Sequence, residues 1–190
     1  IQQVKPCAIF CSELMQKKIS RIKYKYEIIS NIIENSKHLE FNYELKRFND
    51  ISSIIFTSGT TGIPKGVKLK HQNIIFTTKN IIDIVGIKSE DIEINPLQLS
   101  HSFGLGCLHT SIAQSATTII FKNTINLKII IDSIEKQKAT GFVGVPTTFQ
   151  NILDNYKENF KEKGKKLRYM LTNSAPMLEK DVKEIMNILP

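Results

Sequence analysis

From Asp50 onward, short β-branched or aromatic runs alternate with helix-length amphipathic stretches, the pattern of a parallel sheet covered by helices. Five runs, at residues 51–57, 92–97, 117–121, 140–145 and 167–171, predict strands, each apolar enough to be buried on both faces. Between them Ile74, Ile75, Thr78, Ile81, Ile82 and Val85 recur at three- and four-residue steps, and Gly86 follows where a helix C-cap would sit. A second helix is predicted over residues 127–137 and a third by Phe149, Ile152 and Leu153 after Pro146. The stripe Val182, Ile185, Met186 and Leu189 predicts a fourth. These faces read as core, and the fold class is α/β, a mainly parallel sheet with flanking helices.

The first fifty residues are less regular. They suggest a strand around residues 8–10, then a lysine-rich helix through Ile19, Ile22, Ile28, Ile29, Ile32 and Ile33, then a loop over 42–49. No repeat and no low-complexity linker breaks the chain, so residues 1–190 are expected to form one domain or most of one.

Composition narrows the class. At 190 residues and 41% hydrophobic the chain can bury one core. Charged or amide side chains interrupt every apolar run short of the ~20 residues that cross a bilayer, so no transmembrane segment is expected. The chain starts at Ile1 with no signal-peptide pattern, which suggests an internal piece of a cytoplasmic protein. Cys7, Cys11 and Cys107 form an odd set without zinc-type spacing and lie in segments that read as buried, so reduced thiols are expected. The net charge of +8 comes from lysines spread along the chain, with Arg21, Arg47 and Arg168 the only arginines. No dense basic tract appears, which argues against nucleic acid as a partner.

The informative segment is Thr57-Ser58-Gly59-Thr60-Thr61-Gly62-Ile63-Pro64-Lys65-Gly66-Val67, directly after an apolar strand. Gly59, Gly62 and Gly66 allow positive φ and close backbone approach, so that successive N–H groups can converge on phosphate oxygens. Ser58, Thr60 and Thr61 add hydroxyl donors, and Lys65 can set an ammonium against a triphosphate. A Gly/Thr-rich turn without a ligand is the plain alternative. The Walker pattern does not fit, because Pro64 precedes the lysine and Gly66 follows it.

The segment 57–67 closely resembles the phosphate-binding signature of the adenylate-forming superfamily: acyl-CoA synthetases, luciferases and peptide-synthetase adenylation domains. Three further stretches agree in order. Pro96-Leu97-Gln98-Leu99-Ser100-His101-Ser102-Phe103-Gly104-Leu105 is similar to the family's proline, histidine, aromatic-glycine segment. Val145-Pro146-Thr147-Thr148 is similar to its valine-proline segment, and Ser174-Ala175-Pro176-Met177 to the turn bordering the adenine pocket. The resemblance covers residues 50–190. Two positions depart from it: Asn173-Ser174 stands where paired glycines are common, and Ser115 where a glycine is common. A non-glycine residue tolerates positive φ poorly, which puts the backbone beside the base in question.

The resemblance implies part of the large N-terminal AMP-binding domain of an ATP-dependent carboxylate-activating ligase, without its C-terminal lid. Lys65 and His101 would be the catalytic residues. Thr57, Ser58, Gly59, Thr60, Thr61, Gly62, Lys65, Ser174, Ala175 and Pro176 would bind ATP; His101, Phe103 and Gly104 would border the carboxylic acid. Mg²⁺ would accompany ATP, with ligands mostly beyond residue 190, and coenzyme A or a carrier-protein thiol would accept the acyl group. Missing the downstream tyrosine-glycine, aspartate and lysine segments, the 190 residues are expected to be inactive alone and to need the rest of their chain. The alternatives are a non-catalytic nucleotide- or phosphate-binding module and a purely structural α/β domain. His71 is read as a helix-start residue, His38 and His109 carry no role, and Cys107 reads as an inert buried thiol rather than a nucleophile. Asp50, Asp91, Glu93 and Asp132 show no paired-carboxylate or metal-ligand spacing and are expected at the surface, with no metal site among them.

Overall fold

The computed structural model describes residues 4–19, 25–30, 47–57, 64–122 and 126–189. The chain divides into two compact units, Ile1–Arg47 and Phe48–Pro190, a division that no shift in composition announces. In the first unit β1 (Phe10–Cys11) pairs in parallel with β2 (Glu27–Ile28), and α1 (Glu13–Ile19) lies between them in sequence. The expected lysine-rich helix is therefore corrected at Ile28, which is a strand residue; Ile22, Ile32 and Ile33 lie outside the described residues. Cys7, expected buried, is exposed.

The second unit holds a hairpin and a sheet. Strands β3 (Ile51–Thr57) and β4 (Lys65–Lys70) pair antiparallel, and helix α2 (His71–Val85) follows directly. Gly86 caps α2 in the left-handed region at φ 66° and ψ 46°, its N–H donating to the Ile82 carbonyl, as the periodicity predicts. The sheet is formed by β5 (Ile92–Asn95), β6 (Thr117–Ile120), β7 (Gly141–Gly144) and β8 (Tyr169–Thr172). All its pairs are parallel, in the order β6-β5-β7-β8. Helices α3 (Ser102–Ala113), α4 (Leu127–Lys136), α5 (Pro146–Asn155), α6 (Lys157–Lys163) and α7 (Glu179–Ile188) connect or flank these strands.

The five predicted strands all form, but burial on both faces is borne out only for β5 and β7: β6 leaves Thr117 and Ile120 exposed, β8 is no more than half-buried, and β3 departs furthest. Its apolar run predicts a doubly buried parallel strand, yet it pairs antiparallel with β4 and leaves Ile51, Ile54 and Phe56 exposed. The partner strand escapes prediction because Lys65-Gly66-Val67-Lys68-Leu69-Lys70 is short and mostly charged; only Val67 and Leu69 alternate as a strand face should.

The core packs against one face of the sheet. Ile94, Ile130, Ile131, Ile134, Phe142, Phe149, Ile152, Phe160 and Ile185 form one buried cluster contributed by β5, β7 and α4 to α7. Phe142 meets Phe149 and Phe160 edge-on at centroid distances of 5.8 and 5.4 Å, contacts worth about 0.5–1.5 kcal/mol each beyond burial. In α7 the stripe is rotated from the prediction: Ile185 and Ile188 are buried, whereas Val182 and Met186 are exposed. The other face of the sheet lies under α3, where Asn95 Nδ2 donates to the Gly104 carbonyl at 3.0 Å.

Candidate functional site

Thr57 and Lys65 are paired across the end of the hairpin, and the Thr57 hydroxyl donates to the Lys65 carbonyl at 3.5 Å. The chain therefore leaves β3 and re-enters β4 at one place, with both side chains exposed. Ser58, Gly59, Thr60, Thr61 and Gly62 lie outside the described residues. Gly66 does not have the positive φ expected of it. A Cβ there would lie 3.0 Å from Ile54 and 3.3 Å from the Phe56 ring, so its lack of a side chain makes room for the hairpin's own packing rather than for a ligand.

The carboxyl ends of β5 and β7 open on a cleft of about 430 Å³ whose walls include Pro96, Gln98, His101, Val145, Thr147 and Asn151. Open parallel sheets bind ligands beyond the carboxyl ends of their strands, so two of the sequence-predicted segments meet where that rule places a site. His101 is the N-cap of α3, exposed, with extended backbone at φ −102° and ψ 145°. Glycines close after His101 suit a turn, yet a helix begins at Ser102. Gly104 explains the difference, because a Cβ at that position would lie 2.8 Å from the Gln98 carbonyl oxygen. The missing side chain lets the first turn of α3 settle on the Leu97–Gln98 backbone. Gly104 is thus buried support for His101; Phe103 is half-buried, and neither is among the cleft's walls.

Ser174, Ala175 and Pro176 form an exposed turn just past the carboxyl end of β8. Ser174 sits at φ 80° and Ser115 at φ 57°. Both serines standing at glycine positions of the resembling family thus adopt the backbone that favours glycine, at a cost of roughly 1–2 kcal/mol each. The Asn173 Oδ1 accepts the Ser174 N–H, the local bond that lets asparagine support tight turns. Lys65 and Ser174 are not walls of the His101 cleft.

Two expectations about carboxylates are overturned. Asp91 and Glu93, expected at the surface, are 2% and 1% exposed. Asp91 accepts from the Lys88 N–H at 2.7 Å, the Thr140 hydroxyl at 2.8 Å and Arg168, which also reaches the Gly86 carbonyl. Burial pushes its carboxyl up, but those hydrogen bonds and the Arg168 charge together hold it below the ordinary aspartate value. Burial pushes Glu93 up to about 7; the Tyr169 hydroxyl bond at 3.1 Å opposes this and the Asp91 charge adds to it. The signal lies in the alternation: Asp91, Glu93 and Asn95 interleave with Ile92 and Ile94, which in a strand places one polar face. Cys107 is buried as predicted, its thiol pushed up to about 12 by burial and by Glu93. Among the described residues no group of three His, Cys, Asp or Glu could hold a metal ion, and no helix is long and apolar enough to cross a membrane.

A family model described as AMP-binding enzyme matches residues 10–190. The chain is 25% identical to "4-coumarate--CoA ligase-like 6" of Arabidopsis thaliana, over 100% of this chain and 38% of that protein. It is 35% identical to "Acyl-CoA ligase sidI" of Aspergillus fumigatus over 55% of this chain and 18% of the relative. Its fold is similar to that of ATP-bound MatB from Rhodopseudomonas palustris, at TM-score 0.82 and 22% identity, covering 97% of this chain and 38% of the other. It therefore spans well under half the length of these relatives.

Proposed function

As the chain belongs to the AMP-binding enzyme family, we propose that it contributes the phosphate-holding and carboxylate-facing parts of an ATP-dependent ligase that activates a carboxylic acid. In that reaction a carboxylate oxygen attacks the α-phosphorus of ATP and pyrophosphate leaves, giving an acyl-adenylate. A thiol, of coenzyme A or of a carrier protein, then attacks the acyl carbon and AMP leaves. The relatives' names, acyl-CoA and coumarate–CoA ligases, favour coenzyme A.

The observation that carries this reading is the pairing of Thr57 with Lys65, which brings the two ends of the hydroxyl- and glycine-rich segment together beside an exposed ammonium. Donors held in place where charge accumulates on the departing pyrophosphate act chiefly on the transition state. Lys65, Ser58, Thr60 and Thr61 take that role in this reading; Ser174, Ala175 and Pro176 border the base, and His101 faces the carboxylic acid in the cleft. Mg²⁺ would accompany the nucleotide, held chiefly by its phosphates; among the described residues no group of three His, Cys, Asp or Glu stands ready to hold it.

Carboxylate-dependent ATP–pyrophosphate exchange tests the proposal. The intact ligase is expected to exchange, and Lys65→Ala to lose about 10²–10³-fold in rate, the scale of removing one transition-state donor. The 190-residue chain alone is expected to show thermal stabilisation by ATP but no exchange. Full exchange activity in the Lys65→Ala ligase would refute the assignment, and absence of ATP stabilisation would favour a structural domain.

A further inference from the structure

The sheet face under α3 carries a row of positions running across all four strands, with polar side chains on three of them. Register pairs Thr118 with Glu93, Glu93 with Gly141 and Gly141 with Tyr169, so the four positions stand in line on one face. The Tyr169 hydroxyl reaches over β7 to donate to Glu93 Oε2 at 3.1 Å. That reach depends on Gly141, where a Cβ would lie 2.3 Å from Tyr169 Cζ. Among the described residues Glu93 Oε1 has no partner, and neither do the buried hydroxyls of Thr118 and Ser111.

The charged groups described around Glu93 leave it without a cation. Asp91, two residues earlier on the same segment, is itself an anion, and it engages Arg168, which precedes β8. The Arg168 guanidinium lies 5.3 Å from the Tyr169 ring centroid. Tyr169 and, from α3, Cys107 are both driven toward their neutral forms by burial first and by Glu93 second. Strands β6 and β7 bring only Thr118 and Gly141 to this row. A carboxylate here would be a buried charge with one hydroxyl donor, an arrangement proteins avoid by keeping the proton. A carboxylic acid instead supplies the missing donor. No bond joins Glu93 Oε1 to Thr118 Oγ1 directly; the acid's O–H can donate toward Thr118 Oγ1 through an enclosed water of the kind that occupies unpartnered buried polar sites.

We propose that Glu93 is a positioning residue that below neutral pH is held as a neutral carboxylic acid, its proton donated from Oε1 toward Thr118, so that the Tyr169–Glu93–Thr118 seam locks β5 and β8 together across β7. Beyond these two strands lie His101 and the Ser174 turn, so the seam also sets the spacing of the two candidate ligand-binding segments. That last consequence rests on the ligase reading; the protonation does not.

Infrared spectra of the whole chain test the proton directly. Wild type minus Glu93→Gln is expected to show the carbonyl stretch of a protonated carboxyl in acid, disappearing with a midpoint of about 7. Thr118→Val is expected to shift that band by removing its acceptor. Tyr169→Phe is expected to move the midpoint upward by removing the donor that favours the carboxylate. Finding Glu93 as carboxylate alone at about pH 5.5, below its midpoint, would overturn the proposal. Positioning is read by amide exchange at Leu97 and Asn173, compared between wild type and the neutral isostere Glu93→Gln at the same pH. Exchange is expected to match at about pH 5.5 and to be about tenfold slower in the variant at about pH 8.5, where only wild type has ionised. Equal exchange at both pH values would sink the positioning role. Lys65→Ala should leave every one of these readouts unchanged while slowing ATP–pyrophosphate exchange by the intact ligase about 10²–10³-fold, which separates failure of the seam from failure of the ligase reading.

Discussion

Replacing Gly141 with alanine places one methyl group at the crossing of Tyr169 over β7. The new Cβ would stand 2.3 Å from Tyr169 Cζ and 2.4 Å from its hydroxyl oxygen, well inside van der Waals contact, and residues 141–144 are all buried, so the strand has little freedom to withdraw. The ring must swing away. Overpacking of this kind costs about 1–3 kcal/mol, and losing the Tyr169–Glu93 bond adds about 0.5–1.5 kcal/mol. Alanine's advantage over glycine in an extended strand returns about 0.5–1 kcal/mol. The net destabilisation centres on about 2 kcal/mol, measured by urea unfolding in mild acid where Glu93 is neutral. In a Tyr169→Ala background the clash has no ring to meet, and the same substitution should cost nothing measurable. A Gly141→Ala protein within about 0.5 kcal/mol of wild type, the range of an ordinary surface change, would show that Tyr169 does not cross β7.

Stability should depend on pH through Glu93. Its folded value lies above the ordinary 4.5, so its contribution is complete below 4.5 and is lost as pH rises through about 7, a fall of about 3 kcal/mol that Glu93→Gln should abolish in denaturant titrations. Asp91 acts in the opposite sense: lowered below 3.8, it supports the fold above that value, and the support is lost only in stronger acid. Ser115→Gly, at φ 57°, should raise stability by about 0.5–1 kcal/mol, the relief of left-handed strain less the entropy glycine adds to the unfolded chain; thermal unfolding that moves downward would contradict this. Under native conditions a thiol alkylating agent should label exposed Cys7 and spare Cys107, whose thiol is buried and pushed up to about 12; mass spectrometry of peptides reads the outcome.

What can be read from the chain depends on how directly each feature is written in local pattern. The spacing of Ile74, Thr78, Ile81 and Val85, with Gly86 behind it, makes α2 and its cap legible, because a helix advertises itself within four residues. The apolar runs at 92–97, 117–121, 140–145 and 167–171 do the same for the four sheet strands. Strand β4 escapes because a hairpin partner is chosen by pairing, which Lys65–Lys70 reveals only in Val67 and Leu69. Helix α3 escapes because Phe103-Gly104-Leu105-Gly106 carries glycines that local propensity counts against a helix, whereas the fold needs Gly104 for its approach to Gln98. For the site, the residue types around His101 and Ser174 are legible but their positions are not, since these follow from which strands lie side by side. The buried row is hidden for a different reason: Glu93 looks like a surface residue until β6, β7 and β8 are set beside β5.

Strand ends divide the labour in this sheet. Asp91, Thr140 and Arg168 each stand one residue before a strand, at β5, β7 and β8, and together they form one hydrogen-bonded cluster at the amino ends. Removing any one partner would strand a buried charge or a buried hydroxyl, so this edge resists opening. The Tyr169–Glu93 bond ties β8 to β5 again one or two residues further along. At the carboxyl ends, by contrast, His101, Asn173 and Ser174 are exposed, and Ser174 keeps a strained φ of 80°. A turn can hold such strain only where the structure beneath it does not yield. The double anchoring of β8, at Arg168 and again at Tyr169, is what allows the turn beyond the strand to stay in a conformation its own residues disfavour.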